Sequence, residues 1–312
     1  MRFLARLCEL EELLNTCGKN FQLPPKYLVV ENKLTSVRFG LMGEQSMTFG
    51  EVMELEHHGP DTWVGLSPEY QWGRIYGGQV IAQGLRAAFA TVDETFGLHS
   101  VHAYFIRGGT LNEPVRYEVD RLRNGRSFCT RAVVARQSGG AILNLSCSFH
   151  VAEEDAEIQT ARMPLAPDPQ DCSTRENDHI NLLLERRALN SPPGAGRSMG
   201  WVKIRDQITD DPRLHLCGLA FTSDSIQFDA ARSLHPIQAP REEYQQRFMG
   251  ASLDHAMWFH RPARADEWHL YEWDCHGLTG SRGMTVGNLF ASDGRHVATI
   301  AQEVLLRERR EA

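Results

Sequence analysis

Between Pro114 and Arg123 the chain alternates apolar and polar residues, with Val115, Tyr117 and Val119 in one register and Arg116, Glu118 and Asp120 in the other. A period of two marks a strand with one face in the core and one in water. Further strands are read at His99 to Arg107, Ser127 to Arg136 and Ala141 to Val151, joined by turns at Gly108-Gly109, Asn124-Gly125 and Gly139-Gly140. Ahead of them, Gly77-Gly-Gln-Val-Ile-Ala-Gln-Gly-Leu-Arg-Ala-Ala-Phe-Ala90 carries a helix pattern crowded with small residues. A helix that is apolar around most of its circumference is one that other backbone surrounds.

The second half repeats that order. A helix signal at Ser225 to Leu234 precedes strands near Ala251 to Arg261, Trp268 to His276, Met284 to Ala291 and Val297 to Arg307. The stretch between the halves is rich in Pro, Asp and Glu and reads as a connection with a short helical patch near Ile180 to Ala188. Setting Tyr104-Phe-Ile-Arg107 against Trp258-Phe-His-Arg261 brings Gly139 next to Gly294 and Cys147 opposite Gln302. The pattern predicts a duplicated α+β unit, each copy a central helix wrapped by an antiparallel sheet. At 312 residues there is room for about two domains. The expected division is an N-terminal extension over 1–45, a first domain over 46–152, a linker over 153–199 and a second domain over 200–312.

Composition narrows the partners. With 33 Lys and Arg against 40 Asp and Glu, the net charge of −7 has the wrong sign for an extended nucleic-acid surface. A few Arg at one pocket can still hold the phosphates of a smaller anion. The seven cysteines are scattered and form no CxxC, which indicates neither a zinc site nor a disulfide framework. No apolar run approaches the roughly 20 residues that span a bilayer. The opening Met1-Arg-Phe-Leu-Ala-Arg-Leu-Cys-Glu-Leu-Glu-Glu suits a small amphipathic helix better than a signal peptide, and Arg307 to Ala312 lacks a peroxisomal ending, so a soluble, cytoplasmic protein is expected.

Nucleophile elbows, HExxH, a Walker loop and a strand-borne GxGxxG are missing. The histidines are dispersed, and His57-His58 and His255 with His260 read as loop or strand residues in ordinary hydrogen bonds. Gln302 is more informative: a period of two places it with Ala298, Ile300 and Val304, against Thr299 and Glu303. A primary amide on an apolar face needs partners, because burying it alone costs about 1–3 kcal/mol. It is either a satisfied core amide or a functional one. Asp224, just before the second helix signal, has capping as its simplest role. Ser252 is by itself an undistinguished strand serine.

Together with Gly73-Arg-Ile-Tyr-Gly-Gly-Gln79, His99-Ser-Val-His-Ala-Tyr-Phe-Ile-Arg107, Arg123-Asn-Gly-Arg-Ser-Phe128, Leu253-Asp-His-Ala-Met-Trp-Phe-His-Arg-Pro262, Ser281-Arg-Gly283 and Ala301-Gln-Glu303, these residues resemble the acyl-CoA thioesterase II family. The resemblance implies two fused hot-dog domains and hydrolysis of fatty acyl-CoA by a water that an Asp, a Ser or Thr, and a Gln orient. Matched motif by motif, those are Asp224, Ser252 and Gln302, with no metal and no cofactor. Arg107, Arg123, Arg126 and Arg261 are candidates for the CoA phosphates. A homo-oligomer, dimer or tetramer, is expected, with no nucleic-acid partner and no integral membrane segment. Two alternatives stand beside it. A hot-dog enoyl-CoA hydratase needs an Asp and a His together at a helix start, and Ser225-Ile-Gln-Phe-Asp-Ala after Asp224 holds no His. A non-catalytic acyl-CoA binding module would keep the fold without the chemistry.

Overall fold

The alternation in the first half builds a run of antiparallel strands laid against one buried helix. The computed structural model describes residues 47–172, 182–189, 192–238 and 241–309; the expected extension over 1–45 and its short helix lie outside them. The chain forms α1 (Phe49–Met53), β1 (Glu56–His57), β2 (Thr62–Gly65), α2 (Gly77–Phe89), β3 (Phe96–Phe105), β4 (Val115–Asn124), β5 (Phe128–Gln137) and β6 (Gly140–Val151). It continues with β7 (Leu184–Ala188), β8 (Arg197–Ile204), α3 (Pro212–Ser223), α4 (Gln227–Leu234), α5 (Arg241–Arg247), β9 (Phe248–Ser252), β10 (Asp254–Phe259), β11 (His269–Thr279), β12 (Arg282–Ala291) and β13 (His296–Glu308).

The strands form one sheet in the order β1-β2-β4-β5-β6-β3-β10-β13-β12-β11-β8-β7, with β9 also paired to β13. Its centre is the β3–β10 pair, where Tyr104 faces Asp254 and Ser100 faces Trp258. The two strands that end in the stretches aligned from sequence therefore pair antiparallel, and the halves share one sheet through them.

Helix α2 is buried along nearly its whole length. Its small residues permit that, as at Gly84, where an added Cβ would stand 2.8 Å from the Leu145 side chain. Its two glutamines are held by neutral partners. Tyr70 Oη donates to Gln79 Oε1 at 2.7 Å and Tyr117 Oη to Gln83 Oε1 at 2.6 Å, while both amides donate to the Leu66 carbonyl. These bonds fix the helix and with it the position of its N-terminus.

Three local expectations change. The second central helix is α3, which starts earlier than the expected 225–234; Asp211 caps it by accepting from Arg213 N, and Pro212 occupies its first turn. Only α4 coincides with the expected helix. The predicted helical patch near Ile180 to Ala188 is instead strand β7 over its described C-terminal part, pairing with β8 from Leu184↔Ile204 to Ala188↔Gly200. Its helix-forming Leu, Glu and Arg are overridden by an available sheet edge, with Leu184 and Arg186 turned inward. The sheet of the second half therefore begins within the stretch expected to be linker.

The third change concerns the strand expected over 251–261, which is two segments on the same partner. From Ser252↔Val304 to Ala256↔Ala301 the chain advances four residues on one side and three on the other. The extra residue is a bulge at Leu253. No helix among the described residues is long and apolar enough to cross a membrane.

Candidate active site

Helix α3 ends in hydroxyl residues that fold back on their own turn: Thr222 Oγ1 donates to Leu219 O at 2.9 Å, and Ser223 Oγ lies 2.8 Å from Ala220 O and 2.8 Å from His255 Nε2. Asp224 follows, outside helical geometry at φ −92° and ψ 26°. It does not cap α4, whose first flanking residue is Ile226 and which has no side-chain cap. The capping role read from sequence is thereby corrected. The Asp224 carboxylate is turned instead toward the start of α2, where the Gly78 backbone N–H helps to hold its pKa down. Gly77 makes the approach possible, since a Cβ there would stand 2.5 Å from Asp224 Oδ2. Negative charge at a helix N-terminus is favoured by the helix dipole.

Three side chains donate to the other oxygen. Asp224 Oδ1 accepts from Gln227 Nε2 at 2.6 Å, from Gln302 Nε2 at 2.9 Å and from Ser252 Oγ at 3.0 Å. The three residues expected from the resemblance are thus brought together, although they lie on a helix break, a bulged strand and the last strand. Gln302 stands on the buried face of β13 with Ala298, Ile300 and Val304, as its period predicts. The position of Ser252 depends on the bulge. His255, Met257 and Phe259 point into the core from β10, so a regular strand would send Ser252, three residues before His255, to the opposite face. The inserted residue turns it back.

Two members of the cluster were missed from sequence. His255 is fully buried; its Nδ1 lies 2.6 Å from Gln302 Oε1 and its Nε2 2.8 Å from Ser223 Oγ. Because Gln302 gives its N–H to the carboxylate, its oxygen faces the ring, and Nδ1 must carry the proton. A signal existed: the period of two along β10 sets His255 with Met257 and Phe259. Gln227, first residue of α4, is the second, and nothing in its local pattern marks it.

Burial raises the Asp224 carboxyl above the ordinary carboxylate range, and the nearby His255 imidazole and the donors from Gln302, Ser252 and Gly78 pull it back only in part. Burial pushes the His255 imidazolium down, against the pull of Asp224 and Gln302. Burial thus works against the charged form of both groups. Such a carboxylate is a stronger base than a solvated one. A hydratase pair is a poor match, because both ring nitrogens of His255 are committed to Gln302 and Ser223 and neither remains for substrate.

The equivalent place in the first half has other chemistry. Cys147, buried with Leu143, Leu145 and Phe149, has its thiol pushed up to about 12 by burial. None of the four candidate arginines hydrogen-bonds to the Asp224 cluster. Arg107 donates to the Gly139 carbonyl, Arg123 and Arg126 lie exposed at the β4–β5 turn, and Arg261 is bonded to His296 O at 3.1 Å and pairs with Glu157 at 3.5 Å.

Comparison with known proteins covers both halves. Residues 66–150 match the family described as acyl-CoA thioesterase N-terminal domain, and residues 157–306 match acyl-CoA thioesterase C-terminal domain. Acyl-coenzyme A thioesterase 8 of Mus musculus is 35% identical over 280 residues, covering 80% of this chain and 84% of that protein. Acyl-CoA thioesterase 2 of Haemophilus influenzae is 32% identical, covering 78% of this chain and 91% of the relative. Among solved structures, an acyl-CoA thioesterase II from Mycobacterium marinum superposes with a TM-score of 0.72 at 36% identity, covering 84% of this chain and 98% of that one. A protein from Alicyclobacillus acidocaldarius described as having a hot dog fold aligns with a TM-score of 0.69 at 16% identity over 84% of this chain and 98% of its own, a likeness of fold alone. The duplicated helix-and-sheet unit is the double hot-dog architecture.

Proposed function

This chain belongs to the acyl-CoA thioesterase II family, and from that premise we propose that Asp224, Ser252 and Gln302 carry out its reaction by orienting and deprotonating a water. The chain is an acyl-CoA hydrolase that yields free acid and CoA. The observation that carries the assignment is the convergence of Gln302 Nε2 and Ser252 Oγ on one oxygen of a buried carboxylate whose other side faces a helix N-terminus.

In this reading Asp224 takes a proton from water as the oxygen attacks the thioester carbonyl carbon. The tetrahedral intermediate expels the CoA sulfur, which receives that proton from Asp224. Ser252, which is partly exposed where Asp224 is nearly closed off, stands on the side open to substrate. Gln302 fixes the carboxylate, and His255 behind it fixes Gln302. No acyl-enzyme is formed. Phosphate binding falls to exposed cations such as Arg107, Arg123 and Arg126, with Arg261 already engaged. The two units are read as 46–152 and 200–312, the second with β7 and β8 added. A homo-oligomer, dimer or tetramer, accords with Tyr104 and Trp258 standing exposed on the outer face of the central strand pair. Cytoplasmic location rests on the sequence.

Asp224→Asn tests the base. The variant cannot satisfy both sides of the site, because whichever way its amide turns one N–H faces another donor; stability should fall by about 1–3 kcal/mol. Turnover of palmitoyl-CoA, read as released thiol, should fall by about 10²- to 10⁴-fold. Near wild-type turnover from folded variant would remove Asp224 from the mechanism.

A further inference from the structure

Gln227 has chemistry that this mechanism leaves unused. The residue is 1% exposed, and its Nε2 lies 2.6 Å from Asp224 Oδ1. Reversing the amide would press its oxygen against a carboxylate oxygen at that distance, so hydrogen-bonding capacity decides the assignment. Gln227 Oε1 consequently turns away from the carboxylate. It is buried and has no hydrogen-bond partner among the described residues. Leaving a buried acceptor unpaired costs about 1–3 kcal/mol, so such an atom calls for an explanation.

Hydrolysis has a place for it. A water that attacks through a lone pair has two O–H bonds to direct, and Asp224 takes only one. Gln302 Oε1 is occupied by the His255 ring, and Gln302 Nε2 and Ser252 Oγ both donate to Asp224. Gln227 Oε1 is the amide oxygen of the cluster that has no partner at all among the described residues. The reach is right as well. Oxygen and nitrogen of one amide are about 2.2 Å apart. Gln227 Oε1 therefore lies within about 5 Å of Asp224 Oδ1, a gap that one water spans with two ordinary hydrogen bonds when it takes the place of the Ser252 hydroxyl at that oxygen.

We propose that Gln227 is a further catalytic residue of this thioesterase, its Oε1 accepting the second O–H of the attacking water while its Nε2 holds Asp224. This rests on the reading of Asp224 as base. The carboxylate and the amide grip both O–H bonds of the water and leave a lone pair for the thioester carbon. No bond to Gln227 forms or breaks. One proton passes from water to Asp224 and on to the CoA sulfur, and the O–H held by Gln227 remains in the carboxyl group of the product.

The test is the pH dependence of kcat and KM for palmitoyl-CoA in Gln227→Leu, with Gln227→Met as a second variant of matching length in case the first folds poorly. The expected result is a kcat plateau, at the pH where Asp224 is ionised, lowered about 10- to 100-fold with KM within about threefold. A plateau that recovers fully while its acid limb moves to higher pH would reduce Gln227 to a donor that steadies Asp224, and overturn the proposal. A raised KM with kcat intact would make it a substrate contact, and unchanged kinetics a core amide; either overturns it too. Asp224→Asn run alongside separates the two readings. Loss there with normal Gln227 variants sinks only the present inference, whereas normal turnover in Asp224→Asn sinks the base on which it stands.

Discussion

Gly77→Ala is a substitution of one methyl group that should damage catalysis while sparing the fold. Gly77 opens α2 and is absent from the positions with positive φ, so alanine fits the backbone. The added Cβ would lie 2.5 Å from Asp224 Oδ2 and 2.9 Å from the Phe105 ring. Ordinary contact needs about 3.4 Å, so the carboxylate must retreat by about 0.9 Å or the helix start must shift as far. That retreat pulls Asp224 off the Gly78 amide and out of line with Ser252 and Gln302. Misplacement of about 1 Å in a reacting group costs up to about 10²-fold, so kcat should fall by about 10- to 100-fold with KM within about threefold. Stability has opposing terms: alanine gains up to about 1 kcal/mol over glycine in a helix, and the clash removes a similar amount. The melting temperature should move by no more than about 4 °C. Thiol release from palmitoyl-CoA at saturation, beside a circular-dichroism melt, reads both. A well-folded Gly77→Ala enzyme with kcat within threefold of wild type would refute the claim that the carboxylate works from where α2 holds it.

Gln302→Leu suits the apolar face of β13 on sequence grounds, yet it should lower both kcat and stability. It leaves the His255 Nδ1–H without its acceptor and Asp224 without a donor, a loss of about 1–3 kcal/mol in a denaturant melt beside turnover reduced at least 10²-fold; a more stable variant would contradict the network. A second expectation concerns pH. Burial drives His269 down to about 4, against 6.5 for an unperturbed imidazole. The unfolded chain binds that proton first, so the stability His269 contributes is complete above pH 6.5 and is lost as pH falls toward 4, about 2 kcal/mol of it by pH 5. His269→Gln should flatten the fall in melting temperature between pH 7 and 5 by several degrees; an unchanged slope would place the acid sensitivity in other histidines.

Period-two alternation made most of the sheet legible before any coordinates, because a strand with one buried face writes its geometry directly into its residues. The same rule put Gln302 on the inner face of β13, whereas the internal likeness of Tyr104 to Arg107 and Trp258 to Arg261 marked equivalent strands without indicating that they pair and join the halves. Where local preference competed with tertiary opportunity, sequence misled. Leu184–Ala188 looked helical and became an edge strand, since pairing with β8, 12 to 20 residues further along the chain, outweighs intrinsic preference. Helix α3 carried its own start signal in Asp211-Pro212 but little amphipathic contrast, being buried against α2 as well as the sheet. The site depended still more on tertiary structure. Asp224 looked like a helix cap, and only the packing of α3 against α2 turns it to a different helix, reached through Gly77 and Gly78. Ser252 reaches it only because one residue bulges from the ladder. His255 and Gln227 join because their partners lie 47 residues away on β13 and across the first turn from α3. Periodicity reports which face a side chain takes within its own element. Which elements converge on one oxygen is set by their packing, which no local pattern contains.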